Sequence, residues 1–181
     1  MTDRPDTQVD SVVLHDIGEL LAHALEMEHE AVLRYHQLAD SLELHHNQQA
    51  AALFRELAAR NEVLATAIGE RARGIALPRI APWAFKWNCP HGPKAGDCLD
   101  ERIGYQMTAR QALELALHNE TRGHAFYAGV AAADGNDVAT LAAELGTDQR
   151  AHLDWLRTWL ARLDESSPPP AEDFDPPNVT A

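Results

Sequence analysis

The chain has 181 residues, enough for one domain and tight for two. Its 45% apolar and 24% charged residues are ordinary for a globular protein, but 15 Lys and Arg stand against 28 Asp and Glu, a formal net charge of −13. That balance argues against nucleic-acid binding and against docking on anionic lipid, because both need a basic face.

Ten His beside these carboxylates, with only 2 Cys, make an inventory of nitrogen and oxygen ligands rather than of thiolates. Residues 1–15 open acidic and polar, without the basic and apolar blocks of a secretory signal, and are taken as an N-terminal extension. No apolar run approaches the roughly 20 residues that span a bilayer. A cytoplasmic location is expected, with Cys89 and Cys98 as reduced thiols.

A first helix is predicted from about Asp16 to Leu42, with Ile17, Leu21, Ala24, Leu25, Leu38 and Leu42 on one stripe. Asp16 and Glu19 have the spacing of a capping box. A second helix runs from about Asn47 to Ala72, through Leu53, Leu57, Leu64 and Ile68, and stops at Gly74. Residues 73–107 carry Pro78, Pro82, Pro90 and Pro93, which excludes one continuous helix and leaves a long crossover. A third helix starts at the Thr108/Gln111 capping box and runs to about Ala133, before an Asp134-Gly135-Asn136 turn. The fourth runs from Asp137 to about Leu163, through Val138, Leu145, Leu156 and Leu160. Residues 165–181 are proline-rich and acidic, as a disordered tail would be.

Each helix is about 26 residues, roughly 40 Å at 1.5 Å per residue. Short links within each pair imply antiparallel hairpins. The halves also repeat. At a spacing of 92, Leu21, Ala24, Leu25, Glu28, Tyr35 and Ala39 match Leu113, Ala116, Leu117, Glu120, Tyr127 and Ala131. At a spacing of 88, Ala51, Leu53, Glu56 and Leu57 match Ala139, Leu141, Glu144 and Leu145. The expected fold is an all-α antiparallel four-helix bundle over residues 16–164, pseudo-symmetric, with the crossover between its second and third helices.

Glu28 and Glu120 fall on the apolar stripes near the middle of their helices, each one heptad before a tyrosine, Tyr35 and Tyr127. A carboxylate inside a bundle costs several kcal/mol to desolvate, so it needs a proton, a cationic partner or a metal. His152, on the stripe of Leu145 and Leu156, reaches the same level, with Gln149 one turn earlier. By the spacing of 88, the second helix offers Asn61 and Leu64 at the equivalent positions.

This layout resembles the ferritin-like superfamily, and within it the rubrerythrin-like proteins, over about residues 16–163. The matching features are the order hairpin, crossover, hairpin; the E-x6-Y spacing at Glu28/Tyr35 and Glu120/Tyr127; and, more loosely, the crossover tract from Pro78 to Trp87. The resemblance implies a di-iron site built from a Glu on each of two helices and a Glu-x-x-His on each of the others. Glu28, Glu120 and His152 retain three of those six ligands, whereas Asn61, Leu64 and Gln149 stand where the other three belong. Two Cys without a C-x-x-C cannot form the rubredoxin module of full rubrerythrins.

Two carboxylates balance one divalent cation. The centre is therefore expected to hold at most one metal, iron or else manganese or zinc, on Glu28, Glu120 and His152, completed by Gln149 or water. His124, one turn after Glu120, is a reserve ligand, while Glu62 and Asp148 lie about 100° off the stripe. With iron, the resemblance implies an oxidoreductase acting on peroxide or dioxygen, with Tyr35 and Tyr127 supplying protons or electrons. The alternative is a metal-free core in which His152 pairs with a carboxylate and the protein serves as a binding or scaffold module. In a third reading the stripes are rotated and both Glu are exposed.

His15, His23, His29, His36, His45 and His46 are read as solvated positions, with a surface metal or pH-sensing strip as the alternative. Cys89, His91, Asp97 and Cys98 have no common zinc spacing. Trp83 and Trp87 are expected to anchor the crossover on the bundle. Trp155 and Trp159 are expected at a bundle end or a homodimer seam. The partner implied is a small oxidant or another protein. No P-loop, dinucleotide fingerprint or nucleophile motif is present.

Overall fold

The computed structural model describes residues 12–86, 107–133 and 135–166. The Cys89, His91, Asp97 and Cys98 group, Trp87, residues 1–11 and the tail from 167 onward lie outside the described residues. The described chain is all-helical: α1 (Ile17–Leu44), α2 (Gln48–Arg71), a short 3-10 helix (Pro82–Ala84), α3 (Ala109–Ala131) and α4 (Asp137–Ser166). α1 packs along α2 and α3 along α4, giving the expected four-helix bundle of two hairpins. Among the described residues, no helix is long and apolar enough to cross a membrane.

The helix ends follow local chemistry. Thr108 and Gln111 form the reciprocal capping box of α3. At α1, Asp16 accepts from the Glu19 backbone N–H, but the Glu19 carboxylate accepts from the His15 N–H instead of the Asp16 N–H. The expected box is therefore a one-sided cap whose return bond slips by one residue. α1 runs two residues beyond its expected end, and the turn into α2 closes through His46 at φ 61, where the chain needs the left-handed region. Asn47 caps α2 and also donates to the Met107 carbonyl, fixing the start of α3 beside that turn.

The apolar core falls into two clusters. One gathers Tyr35, Leu42, Phe54, Leu57, Leu113 and Leu156. The other gathers Leu20, Leu21, Ile68, Phe126, Tyr127 and Leu145. Between these clusters every helix buries polar side chains: Glu28 on α1, Asn61 on α2, Glu120 on α3, and Gln149 with His152 on α4. The bundle is a sandwich along its axis, with a polar layer between two apolar blocks.

The crossover departs from expectation. Trp83 is 86% exposed and does not anchor the crossover on the described bundle. Phe85 and Lys86 hold this segment down instead: Phe85 sits against His23, and Lys86 donates to the Val13 carbonyl and to Glu19 at 3.2 Å.

Candidate metal centre

Each central carboxylate reaches the layer because its helix places it in phase with buried neighbours. Glu28 follows Leu21 and Ala24 and precedes Tyr35, and Glu120 follows Leu113 and Ala116 and precedes Tyr127. They are 2% and 3% exposed, which disposes of the rotated-stripe reading. Glu62 and Asp148 are exposed, as their rotation off the stripe required, and Glu62 engages His36 on the surface. His124 is not brought to the layer. It is half-buried and meets an Arg150 guanidinium N–H at 3.3 Å, because residue 124 lies off the core-facing line of Glu120, Gly123 and Tyr127.

The two carboxylates have unequal surroundings. Tyr35 Oη donates to Glu120 Oε1 at 2.7 Å, Gln149 Nε2 donates to Glu120 Oε2, and His152 Nδ1 stands 3.5 Å from the same Oε2. Glu28 receives one bond, from Asn61 Nδ2 at 3.0 Å. Burial, then the neighbouring Glu120 charge, pushes the Glu28 carboxyl up to about 8 against the pull of the Asn61 amide. Glu28 is thus the group that holds a proton at neutral pH, and Glu120 is the acceptor. Burial, then Glu120, raises the Tyr35 phenol far above its ordinary range, so it remains a donor. Burial also raises the Tyr127 phenol, with Glu28 next in effect.

Several polar atoms of this layer lack hydrogen bonds: both nitrogens of His152, Tyr127 Oη and Asn61 Oδ1. Each such atom costs roughly 1–3 kcal/mol. Burial holds the His152 imidazole below its ordinary value, outweighing the opposite effect of Glu120. It is therefore a neutral ring with a lone pair to offer. Trp155 packs 6.1 Å from it, and the Arg60 guanidinium lies 3.9 Å over Trp155. Trp155 and Trp159 are thus partly buried packing groups on α4 against the Tyr35 cluster.

The donor set fits one dication and not two. Glu28 and Glu120 supply two charges, His152 one nitrogen and Asn61 an amide oxygen, while Leu64 supplies no ligand atom. Among the described residues no three His, Cys, Asp or Glu already form a metal cluster. Binding would require Glu28, Glu120 and His152 to close in, with Glu120 exchanging part of its contact to Tyr35 and Gln149. A narrow cleft between α2 and α4, lined by Leu64, Leu145, Gln149, Tyr127 and Glu28, reaches the layer and has room for about one water molecule.

Without metal, Glu28 makes stability depend on pH. A carboxyl whose folded value rises from near 4.5 to about 8 stabilises the fold fully below 4.5, and that contribution is lost as pH rises toward 8. The expected slope is up to about 1.4 kcal/mol per pH unit. Urea midpoints of chelator-treated wild type and Glu28→Gln, compared from pH 5 to 8, check it. The wild type should lose ground to the variant as pH rises.

The site belongs to an all-α four-helix bundle with a buried layer built on two carboxylates. A crystal structure of a protein from Magnetospirillum magnetotacticum MS-1, described as an uncharacterized conserved protein, is 33% identical to this chain. The match covers 87% of this chain and 99% of that one, with a TM-score of 0.64. This chain belongs to the family of that conserved protein. No protein-family model and no curated protein matches it.

Proposed function

We propose that the chain is a rubrerythrin-like, ferritin-fold protein that binds one divalent metal ion between its apolar clusters, through Glu28, Glu120 and His152. The observation that carries this reading is His152: a buried imidazole with both nitrogens unpartnered, 3.5 Å from one of two buried carboxylates. A dication neutralises the Glu28/Glu120 pair and takes the His152 lone pair, and Asn61 Oδ1 or Gln149 completes the set. When bound, the ion supplies Lewis-acid or redox chemistry. The chain's own residues hold Tyr35 as a proton donor on Glu120, place Tyr127 on the opposite side of the layer, and exclude bulk water with the two apolar blocks. The resemblance to rubrerythrins makes iron the metal and peroxide or dioxygen the reactant.

A second reading is a metal-free polar core serving a binding or scaffold role. It is favoured by the two donors already seated on Glu120 and by the proton on Glu28. Titration of chelator-treated protein with cobalt(II) separates the two. Visible absorption bands that saturate at one equivalent support the metal reading. Absence of such bands with retained helicity supports the second.

A further inference from the structure

We infer that His23 is a pH-operated latch, which holds the Pro82–Lys86 segment against the bundle while the ring is neutral and releases it on protonation. This inference is independent of metal binding. His23 is 1% exposed and neither ring nitrogen has a hydrogen-bond partner. It is the one histidine of the α1 group that the bundle buries instead of solvating, because position 23 falls beside Leu20, Leu21 and Ala24. Phe126 of α3 stacks on it at 5.7 Å, and Phe85 of the crossover closes over it edge-on at 5.3 Å.

A neutral imidazole among aromatic rings is tolerated; an imidazolium adds a charge and a second donor, and the Glu19 backbone beside the ring offsets only part of the cost of burying them. The charged groups facing it are Glu19 on α1 and Lys86 on the crossover, and Phe126 of α3 brings none. Glu19 is a poor counter-ion, because it is engaged by the Lys86 ammonium and the His15 N–H. Attraction of the cation to the Phe rings is weaker than the penalty for an unpaired buried charge. Burial accordingly holds the imidazole below its ordinary value near 6.5.

Water can reach the ring most cheaply at Phe85. Phe126 is locked into α3, whereas Phe85 sits on the short Pro82–Lys86 segment, which Lys86 ties to the Val13 carbonyl and to Glu19 at its edge, with Trp83 and Ala84 exposed. Protonation therefore lifts Phe85 and leaves the helices in place. The sign follows from the lowered value: the docked state is fully stabilised above about pH 6.5 and weakens as pH falls.

The experiment is amide hydrogen exchange of Ala84, whose N–H bonds to the Ala81 carbonyl, at pH 7.5 and 5.5, expressed as protection factors against the unstructured rate at each pH. In the wild type these should fall between pH 7.5 and pH 5.5, by at most about tenfold for each pH unit below about 6.5. His23→Leu should keep the high protection at both pH values, and Phe85→Ala should show low protection at both. No fall in the wild type, or an equal fall in His23→Leu, overturns the latch. If His23→Leu does not fold, the His23 ring is followed by NMR in the wild type. Protonation in step with the loss of protection supports the latch; loss of protection while the ring stays neutral overturns it.

Discussion

The triple variant Asn61→Glu, Leu64→His, Gln149→Glu should bind two iron ions per chain, against the single ion proposed for the wild type. These substitutions supply the two carboxylates and the imidazole that separate this layer from the six-ligand set implied by the rubrerythrin resemblance. Asn61 and Gln149 are already buried and bonded to Glu28 and Glu120, so the new carboxylates arrive facing the existing ones. Leu64 lines the cleft that leads to Glu28, so a histidine there stands beside the layer. Without metal the variant gathers four carboxyl groups in one dry layer, each costing several kcal/mol to keep ionised. Chelator-treated variant should therefore melt about 10 °C or more below wild type, and ferrous iron should restore it, since ligand binding to the native state adds directly to stability. Elemental analysis and calorimetry with and without iron check both parts. A variant that holds one iron or none, with no iron-dependent rise in Tm, would show that the layer cannot form a two-metal site.

The second large effect is an asymmetry between the two glutamates. Glu120→Ala should cost about 3–5 kcal/mol, because it strands the Tyr35 hydroxyl and the Gln149 amide and leaves a cavity in the core. That corresponds to a Tm lower by about 10 °C for a domain of this size. Glu28→Gln should cost less than about 1 kcal/mol at pH 7 in metal-free protein, since it replaces a protonated carboxyl with a neutral amide of the same shape. It should nevertheless weaken metal binding strongly, because it removes half of the compensating charge. Chemical denaturation of the two variants after chelation, followed by metal titration, measures this. Equal destabilisation by both substitutions would contradict the division of roles between acceptor and proton holder.

Much of the architecture was readable because its determinants are local. Periodicity marked all four helices, Thr108 with Gln111 fixed the start of α3, and the repeat placed Glu28 opposite Glu120. The partners of those carboxylates were only partly readable. That Gln149, Asn61 and His152 lie level with them follows from helix phase. That Tyr35 bonds Glu120, the glutamate of the other hairpin, depends on how the hairpins dock, and nothing local encodes it.

His23 and Trp83 misled for opposite reasons. His23 looked like one of a run of surface histidines, but its position between Leu21 and Ala24 places it inside, a signal the helical phase already contained. Trp83 looked like an anchor by size, but the short turn at Pro82–Ala84 points it outward, and the smaller Phe85 takes the contact. His124 shows the limit of spacing arguments: four residues from Glu120 is one turn along the helix, yet Gly123, and not residue 124, faces the α1–α3 contact beside Met27.

The most direct test of the central claim is metal stoichiometry by native mass spectrometry, on wild type and Glu28→Ala reconstituted with ferrous iron under anaerobic conditions and freed of excess. One iron per folded chain in the wild type and none in the variant is the expected result. Two irons in the wild type, or one iron retained equally by Glu28→Ala, would contradict a single-metal centre held by Glu28, Glu120 and His152.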